Sequence, residues 1–149
     1  MIALIQRVSE AAVHVNGKVV GEISNGILAL VGVQRGDSET EAERLLQRVL
    51  AYRIFPDDQQ RMNLNLRQAQ GSLLLVPQFT LAADTNKGNR ASFTSAAPPE
   101  DGERLFRFFV ERAREELGEV ATGQFGADMK VHLVNDGPVT FWLQTPPAA

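Results

Sequence analysis

Between residues 2 and 15, apolar and polar positions alternate with one slip. Ile2 and Leu4 share one phase, while Ala11, Val13 and Val15 share the other. Successive strand residues face opposite sides, so the slip near Ser9-Glu10 predicts a bulge whose extra residue flips the faces. Asn16-Gly17 suits a type I′ hairpin turn, after which Val19–Ile23 returns as a second strand. Asn25-Gly26 predicts another turn, and Gly26–Val33 is apolar almost throughout, which demands cover on both faces. The period then changes. Ala42, Leu45, Leu46, Val49 and Leu50 make one helical stripe over residues 38–52, opened by the capping-box pair Ser38 and Glu41. Phe55-Pro56-Asp57-Asp58 predicts a turn, Met62–Leu66 a short strand, and Gln70-Gly71 a turn into the apolar strand Ser72–Val76.

A second helix opens at Pro98-Pro99-Glu100-Asp101, because proline is tolerated in the first turn and acids suit the positive end of the helix dipole. Leu105, Phe106, Phe109, Val110, Ala113 and Leu117 form its stripe, Phe108 lies at the stripe's edge, and Gly118 is its C-cap. Glu119–Thr122, Met129–Val134 and Val139–Leu143 read as strands, and Thr145–Ala149 as a frayed tail. The elements come largely as hairpins. They predict an α+β fold, with residues 1–149 as a single domain: a mainly antiparallel β-sheet or barrel with two long helices, not a doubly wound parallel sheet.

Composition narrows the chemistry. The 149 residues carry a net charge of −3, so any contact with nucleic acid must be local. No cysteine is present, which removes disulfides, thiolate metal sites and cysteine nucleophiles. His14 and His132 are isolated in sequence, each among strand-forming residues, so neither a histidine metal cluster nor a serine–histidine–acid triad is expected. No metal and no cofactor is expected. No apolar run approaches the roughly 18–20 residues of a membrane span, and Met1–Arg7 lacks the layout of a signal peptide.

Three stretches stand outside the element pattern. Pro77-Gln78-Phe79-Thr80-Leu81-Ala82-Ala83-Asp84 ends a buried strand in polar groups. If the strand continues, Gln78 and Thr80 share one side and Phe79 takes the other. The residues alone leave two readings, a frayed strand end or a polar patch whose backbone amides can bind an oxyanion. Thr85–Ser95 carries Lys87 and Arg90 with no acid and no periodicity, as an exposed, mobile loop would. Asn135-Asp136-Gly137-Pro138-Val139-Thr140 has the composition of a tight turn. Its Gly–Pro step also admits a cis bond at modest cost.

These stretches, in this order, resemble the D-aminoacyl-tRNA deacylase family. The resemblance rests on Gln78-Phe79-Thr80-Leu81 with Ala83-Asp84, on Ser92-Phe93 and Ala96–Pro99, on Gly123-x-Phe125-Gly126-Ala127-Asp128-Met129, and on Asn135–Thr140. Gln6-Arg7-Val8, Arg53-Ile54-Phe55 and Met62-Asn63 match as well, so it covers essentially the whole chain. It implies a cytoplasmic homodimer that hydrolyses the ester joining a D-amino acid to the 3′-terminal adenosine of tRNA, and that also clears glycine mischarged on tRNA(Ala). Gln78, Phe79 and Thr80 then line the pocket, with the Phe79 and Thr80 amides as the oxyanion site. Gly137 and Pro138, joined by a cis bond and braced by Arg7, become a chirality gate that enters the partner's pocket at the subunit interface and rejects L-aminoacyl-tRNA. Phe125 and Met129 lie near the adenosine, and Lys87 and Arg90 meet acceptor-stem phosphates.

The chain departs from the family pattern at Pro77, where serine is usual, at Ala91, where proline is common, and at Gln124, where arginine is common. A hydroxyl role at position 77 is therefore lost. Two other functions compete with the deacylase reading. One is a non-catalytic protein that binds the tRNA 3′ end, supported by Pro77 alone. The other is an esterase acting on small amino-acid esters.

Overall fold

The computed structural model of the chain describes residues 1–146. Its framework is a sheet in the order β2-β1-β3-β6-β7, with β8 laid along β1. The strands are β1 (Ile2–Val15), β2 (Lys18–Ile23), β3 (Gly26–Gly32), β6 (Ser72–Pro77), β7 (Ala121–Thr122) and β8 (Lys130–Gln144), and a small ribbon pairs β4 (Phe55–Pro56) with β5 (Met62–Leu64). Phe55-Pro56 is thus strand, and the turn expected there begins at Asp57, whose side chain accepts from the Gln59 and Arg61 amides. Strands β2, β3 and β8 run antiparallel to β1, whereas β3–β6 and β6–β7 are parallel. The sheet curls until Gly21 of β2 meets the Thr122 backbone of β7 so closely that no side chain would fit, which nearly closes a barrel. Asn16 and Gly17 both have positive φ, at 51° and 77°, as a type I′ turn requires.

Two cores share this sheet. On its outer side, α1 (Glu39–Ala51) and α2 (Pro99–Leu117) cover Ala3, Ile5, Ile27, Ala29, Leu73 and Leu75. Inside the barrel, Val8, Ala11 and Val13 pack with Leu28, Leu74 and Val76. Strands β3 and β6 therefore bury both faces, as their unbroken apolar runs demand. The slip in β1 is real: Val8 pairs with Asn135 and Glu10 with Val134, so Ser9 is the extra residue. Beyond it Ala11 and Val13 face the interior, and Glu10, Ala12 and His14 face out.

Helix α1 starts at a complete capping box, Ser38 with Glu41. Helix α2 starts at Pro99 and ends at Gly118, whose φ is 86°. The expected fraying of the tail fails at Thr145, which is buried. Its amide donates to the Met1 carbonyl and its hydroxyl to the Glu41 carbonyl, while its own carbonyl accepts from the Met1 ammonium. Residues 147–149 lie outside the described range.

The histidines are not isolated in space. Ala12 faces His132 across the β1–β8 ladder, and the His14 and His132 rings lie 4.5 Å apart. They sit on the outward face of the barrel, and among the described residues no third ligand joins them in a metal-binding group. No helix among the described residues is long and apolar enough to cross a membrane.

Candidate active site

The carboxyl ends of the parallel strands β3 and β6 open onto a cavity of about 460 Å³. Where parallel strands end together, their side chains and the following loops leave a crevice, the usual place for a ligand in sheets of this kind. Val31, Val33 and Val76 supply one wall, the first turns of α2 with Gly102 and Phe106 another, and the segment after β7 a third. Two of the sequence-predicted groups converge here. Gln78 and Phe79 form the lip, and Phe125 and Met129 the far wall. Thr80 is outside the lining but is tied to it, because Gln78 Nε2 donates to Thr80 Oγ1.

The strand does not continue past Pro77. Gln78 donates its amide to the Val31 carbonyl and caps a 3₁₀ turn, Phe79–Ala82. The expected alternation of Gln78 and Thr80 against Phe79 therefore gives way to a helical arrangement. Its consequence is chemical. The first amides of a helix have no partner within it, and among the described residues nothing accepts from Phe79 N–H or Thr80 N–H. Both residues are exposed.

The cavity lining contains no ionisable side chain. The groups whose acidity is shifted lie elsewhere. Glu43 is held below its ordinary range chiefly by Arg112, and Glu116 chiefly by Arg67 and then Arg112, in a cluster that joins α1 to α2. Neither histidine lines the cavity.

Asn135–Thr140 is not a chain reversal. Gln6 pairs with Thr140 and Val8 with Asn135, so β8 takes five residue steps where β1 takes two, and both halves of β8 stay on β1. The surplus residues leave the ladder as a tight excursion. Asn135 closes its neck, accepting from the Val139 amide at 2.9 Å and donating to Thr140 Oγ1 at 2.7 Å. Arg7 holds its base, donating from Nε to the Asp136 carbonyl at 3.0 Å and from Nη1 to the Ile54 carbonyl at 2.7 Å. The Gly137–Pro138 peptide bond is cis and Gly137 has φ 140°. A Cβ on Gly137 would lie 2.6 Å from Val139 Cγ2 and 3.2 Å from Arg7 Nη2, so glycine is required by space and by backbone alike. Gly137, Pro138 and Arg7 do not line the chain's own cavity.

Lys87 and Arg90 lie exposed at the tip of the loop between Asp84 and Ser92, away from the cavity lining. The residues missed from the sequence are wall residues. Val33 and Phe106 carry the same apolar signal as core, and only the end of β3 and the tilt of α2 turn them toward a cavity.

The family model for D-Tyr-tRNA(Tyr) deacylase matches residues 4–144. A D-aminoacyl-tRNA deacylase of Thioalkalivibrio sulfidiphilus is 65% identical, covering 99% of each chain. One of Pectobacterium atrosepticum is 60% identical, covering 97% of this chain and all of its own. Among solved structures, the c-Myc DNA unwinding element binding protein superposes with a TM-score of 0.94 at 36% identity, over 98% of this chain and 99% of its own. With its cavity at the strand ends bordered by Gln78-Phe79, by Ala97 and Pro99, and by Phe125 and Met129, the chain belongs to the D-aminoacyl-tRNA deacylase family, hydrolases of the carboxylic ester that links a D-amino acid to tRNA.

Proposed function

We propose that the chain works as a homodimer in the cytoplasm, in which each Gly137–Pro138 excursion enters the partner's cavity and excludes L-aminoacyl esters by shape. One observation carries this reading. The excursion is held by Arg7 and Asn135, yet it does not line its own chain's cavity, while the cavity bordered by Gln78 and Phe79 stands open. The β1–β3–β8 face turned away from the helices supports self-association. Leu4 faces Leu30 on one side and Trp142 on the other, and Trp142 is half exposed.

Hydrolysis proceeds without a protein nucleophile. A hydroxyl nucleophile needs an adjacent base. Among the described residues, the Thr80 hydroxyl has the Gln78 side-chain amide as its hydrogen-bond partner, and the cavity lining offers no acid or base. Water attacks the ester with help from the ribose 2′-hydroxyl, and the Phe79 and Thr80 amides receive the oxyanion. Phe125 and Met129 hold the terminal adenosine. Glycyl-tRNA mischarged on tRNA(Ala) is also a substrate, because an α-carbon without a side chain passes a gate that works by exclusion. Lys87 and Arg90 meet phosphates of the acceptor stem and contribute salt-dependent affinity.

The test is deacylation of matched D-tyrosyl-, L-tyrosyl- and glycyl-tRNA. Hydrolysis of the D and glycyl esters with the L ester spared is expected. Equal turnover of D and L esters overturns the gate. Tight binding of tRNA with no hydrolysis of any ester would instead leave a 3′-end binding protein.

A further inference from the structure

The role given to Phe79 uses only its main-chain amide; its ring is unaccounted for. That ring is 62% exposed at the lip of the cavity, and beside it stands the ring of Phe93, 45% exposed, with centroids 5.3 Å apart and planes at 42°. The sequence gives no reason for an exposed aromatic pair. The fold holds it firmly. Asp84 and Ser92 exchange backbone hydrogen bonds at 2.7 and 2.9 Å, and the Phe93 carbonyl accepts from Ala96 N–H at 3.1 Å. Arg35 Nε donates to the Thr94 carbonyl at 3.0 Å, and Ser95 Oγ to the Ala82 carbonyl at 2.6 Å, which joins this loop to the 3₁₀ turn that carries Phe79. The charge around the pair is cationic on balance, with Asp84 at the base of the loop as its one acid. Thr85–Ser95 contains Lys87, Arg90 and no acid, and Arg35 lies alongside.

Fixed, exposed rings flanked by cations are the means by which proteins hold unpaired nucleobases. The ring face takes the base by stacking and the cations take the phosphate. We infer that the Phe79 and Phe93 rings form a stacking platform for an unpaired base of the tRNA 3′ strand next to the terminal adenosine. The inference rests on the deacylase reading and extends it from the ester to the nucleotide before it. Since every base has a π-face, the platform tolerates sequence. It reads that the strand is single, not which base it carries.

Phe93 is the residue to change, because its exposed ring is not part of the cavity lining. Two substrates separate the platform from the ester site: D-tyrosyl-tRNA, and D-tyrosine esterified to adenosine alone. Phe93→Ala is expected to raise KM on the tRNA by about 5- to 150-fold, the range a lost aromatic–base stack gives, and to leave the short ester within about twofold. Phe93→Trp restores the tRNA value and Phe93→Leu, which keeps apolar bulk, does not. A binding measurement runs in parallel. An uncharged RNA hairpin with an unpaired 3′ end binds the wild type more tightly than the same hairpin made abasic just before its last adenosine, and Phe93→Ala abolishes the difference.

Equal losses on both esters, identical binding of intact and abasic hairpins, or a shift from dimer to monomer on sedimentation with base sensitivity intact would each overturn the platform. The two readings fail separately. Base-sensitive binding without hydrolysis removes the deacylase mechanism and keeps the platform, whereas hydrolysis without base sensitivity does the reverse.

Discussion

Two strands of this sheet are interrupted, and they are interrupted in opposite ways. Strand β6 stops at Pro77 and passes into a 3₁₀ turn, leaving two amides without acceptors and a cavity behind them. Strand β8 does not stop. It throws out Asp136–Val139, closes the neck with Asn135, and resumes its pairing with β1. The first interruption makes a concave place with unused hydrogen-bonding capacity. The second makes a convex one, held at its base by Arg7 and at its neck by Asn135. A receptor needs spare donors and space, while an object that excludes by shape needs rigidity and no space. The two regions have complementary properties within one chain, and the second does not line the cavity of the first.

The comparison breaks most visibly at Gly137. Gly137→Val is expected to lower kcat/KM on D-tyrosyl-tRNA by about a hundredfold, since displacing a positioning element by about 1 Å costs that much. Ala97→Trp, which fills the cavity from the opposite side, should inactivate as well. Mixed after denaturation and refolding, the two inactive proteins should recover about a quarter of wild-type activity, because half of randomly paired symmetric dimers hold one intact cavity facing one intact excursion. No recovery would mean that the excursion serves its own chain.

Smaller effects sharpen the contrast. Arg7→Met removes the donors to the Asp136 and Ile54 carbonyls. It should cost about tenfold in kcat/KM and raise the fraction of L ester hydrolysed, as a loosened positioning group does. Thr80→Ala keeps the amide and loses the hydroxyl. A fall of less than about tenfold is expected, against several orders of magnitude for a lost nucleophile. With no ionisable side chain in the cavity lining, log kcat should also rise with pH without the bell that paired enzyme acids and bases produce.

The smallest expected effect is on selectivity after damage far from both regions. Ser38→Ala removes the α1 cap and about 1 kcal/mol of stability, with the D-to-L ratio unchanged. Glu41 is held below its usual range chiefly by its hydrogen bond from the Ser38 side chain. A carboxylate with a lowered folded pKa contributes stability above its ordinary value of 4.5 and loses it as pH falls below that. Thermal melts should therefore separate wild type from Ser38→Ala most at neutral pH and narrow the gap in acid, leaving the part due to the Thr40 amide's bond to Ser38 Oγ.

What could be read from the chain depended on whether the signal was local. The bulge at Ser9 was legible because a strand's alternation carries its own phase, and helix α1 because Ser38 and Glu41 cap it from within one turn. The excursion was not. Asn, Asp, Gly and Pro carry the same backbone chemistry whether a chain turns back or merely steps aside, and only pairing with β1, far away in sequence, tells the two apart. The end of β6 misled for a related reason. Gln78, Phe79 and Thr80 can extend a strand by propensity, and it is the turn bond from Leu81 N–H to the Gln78 carbonyl that marks where the strand ends. The His14–His132 contact was invisible for the same reason, since register between distant strands brings the rings together. The candidate site residues are legible only through whole-chain resemblance, because wall residues such as Val33 and Phe106 carry the same apolar signal as the core.

Ser9 has an outcome larger than the local twist of one strand. Before it, β1 already reaches both hydrophobic clusters, Ala3 and Ile5 in one and Val8 in the other; by letting the strand change faces midway, it keeps Ala11 and Val13 in the inner cluster that Val8 joins. β3 and β6 join the same two clusters through their opposite faces. Neither cluster can then come apart while the other persists, because they are laced by shared chain. The molecule should melt as one cooperative unit, with a calorimetric enthalpy equal to the van't Hoff value.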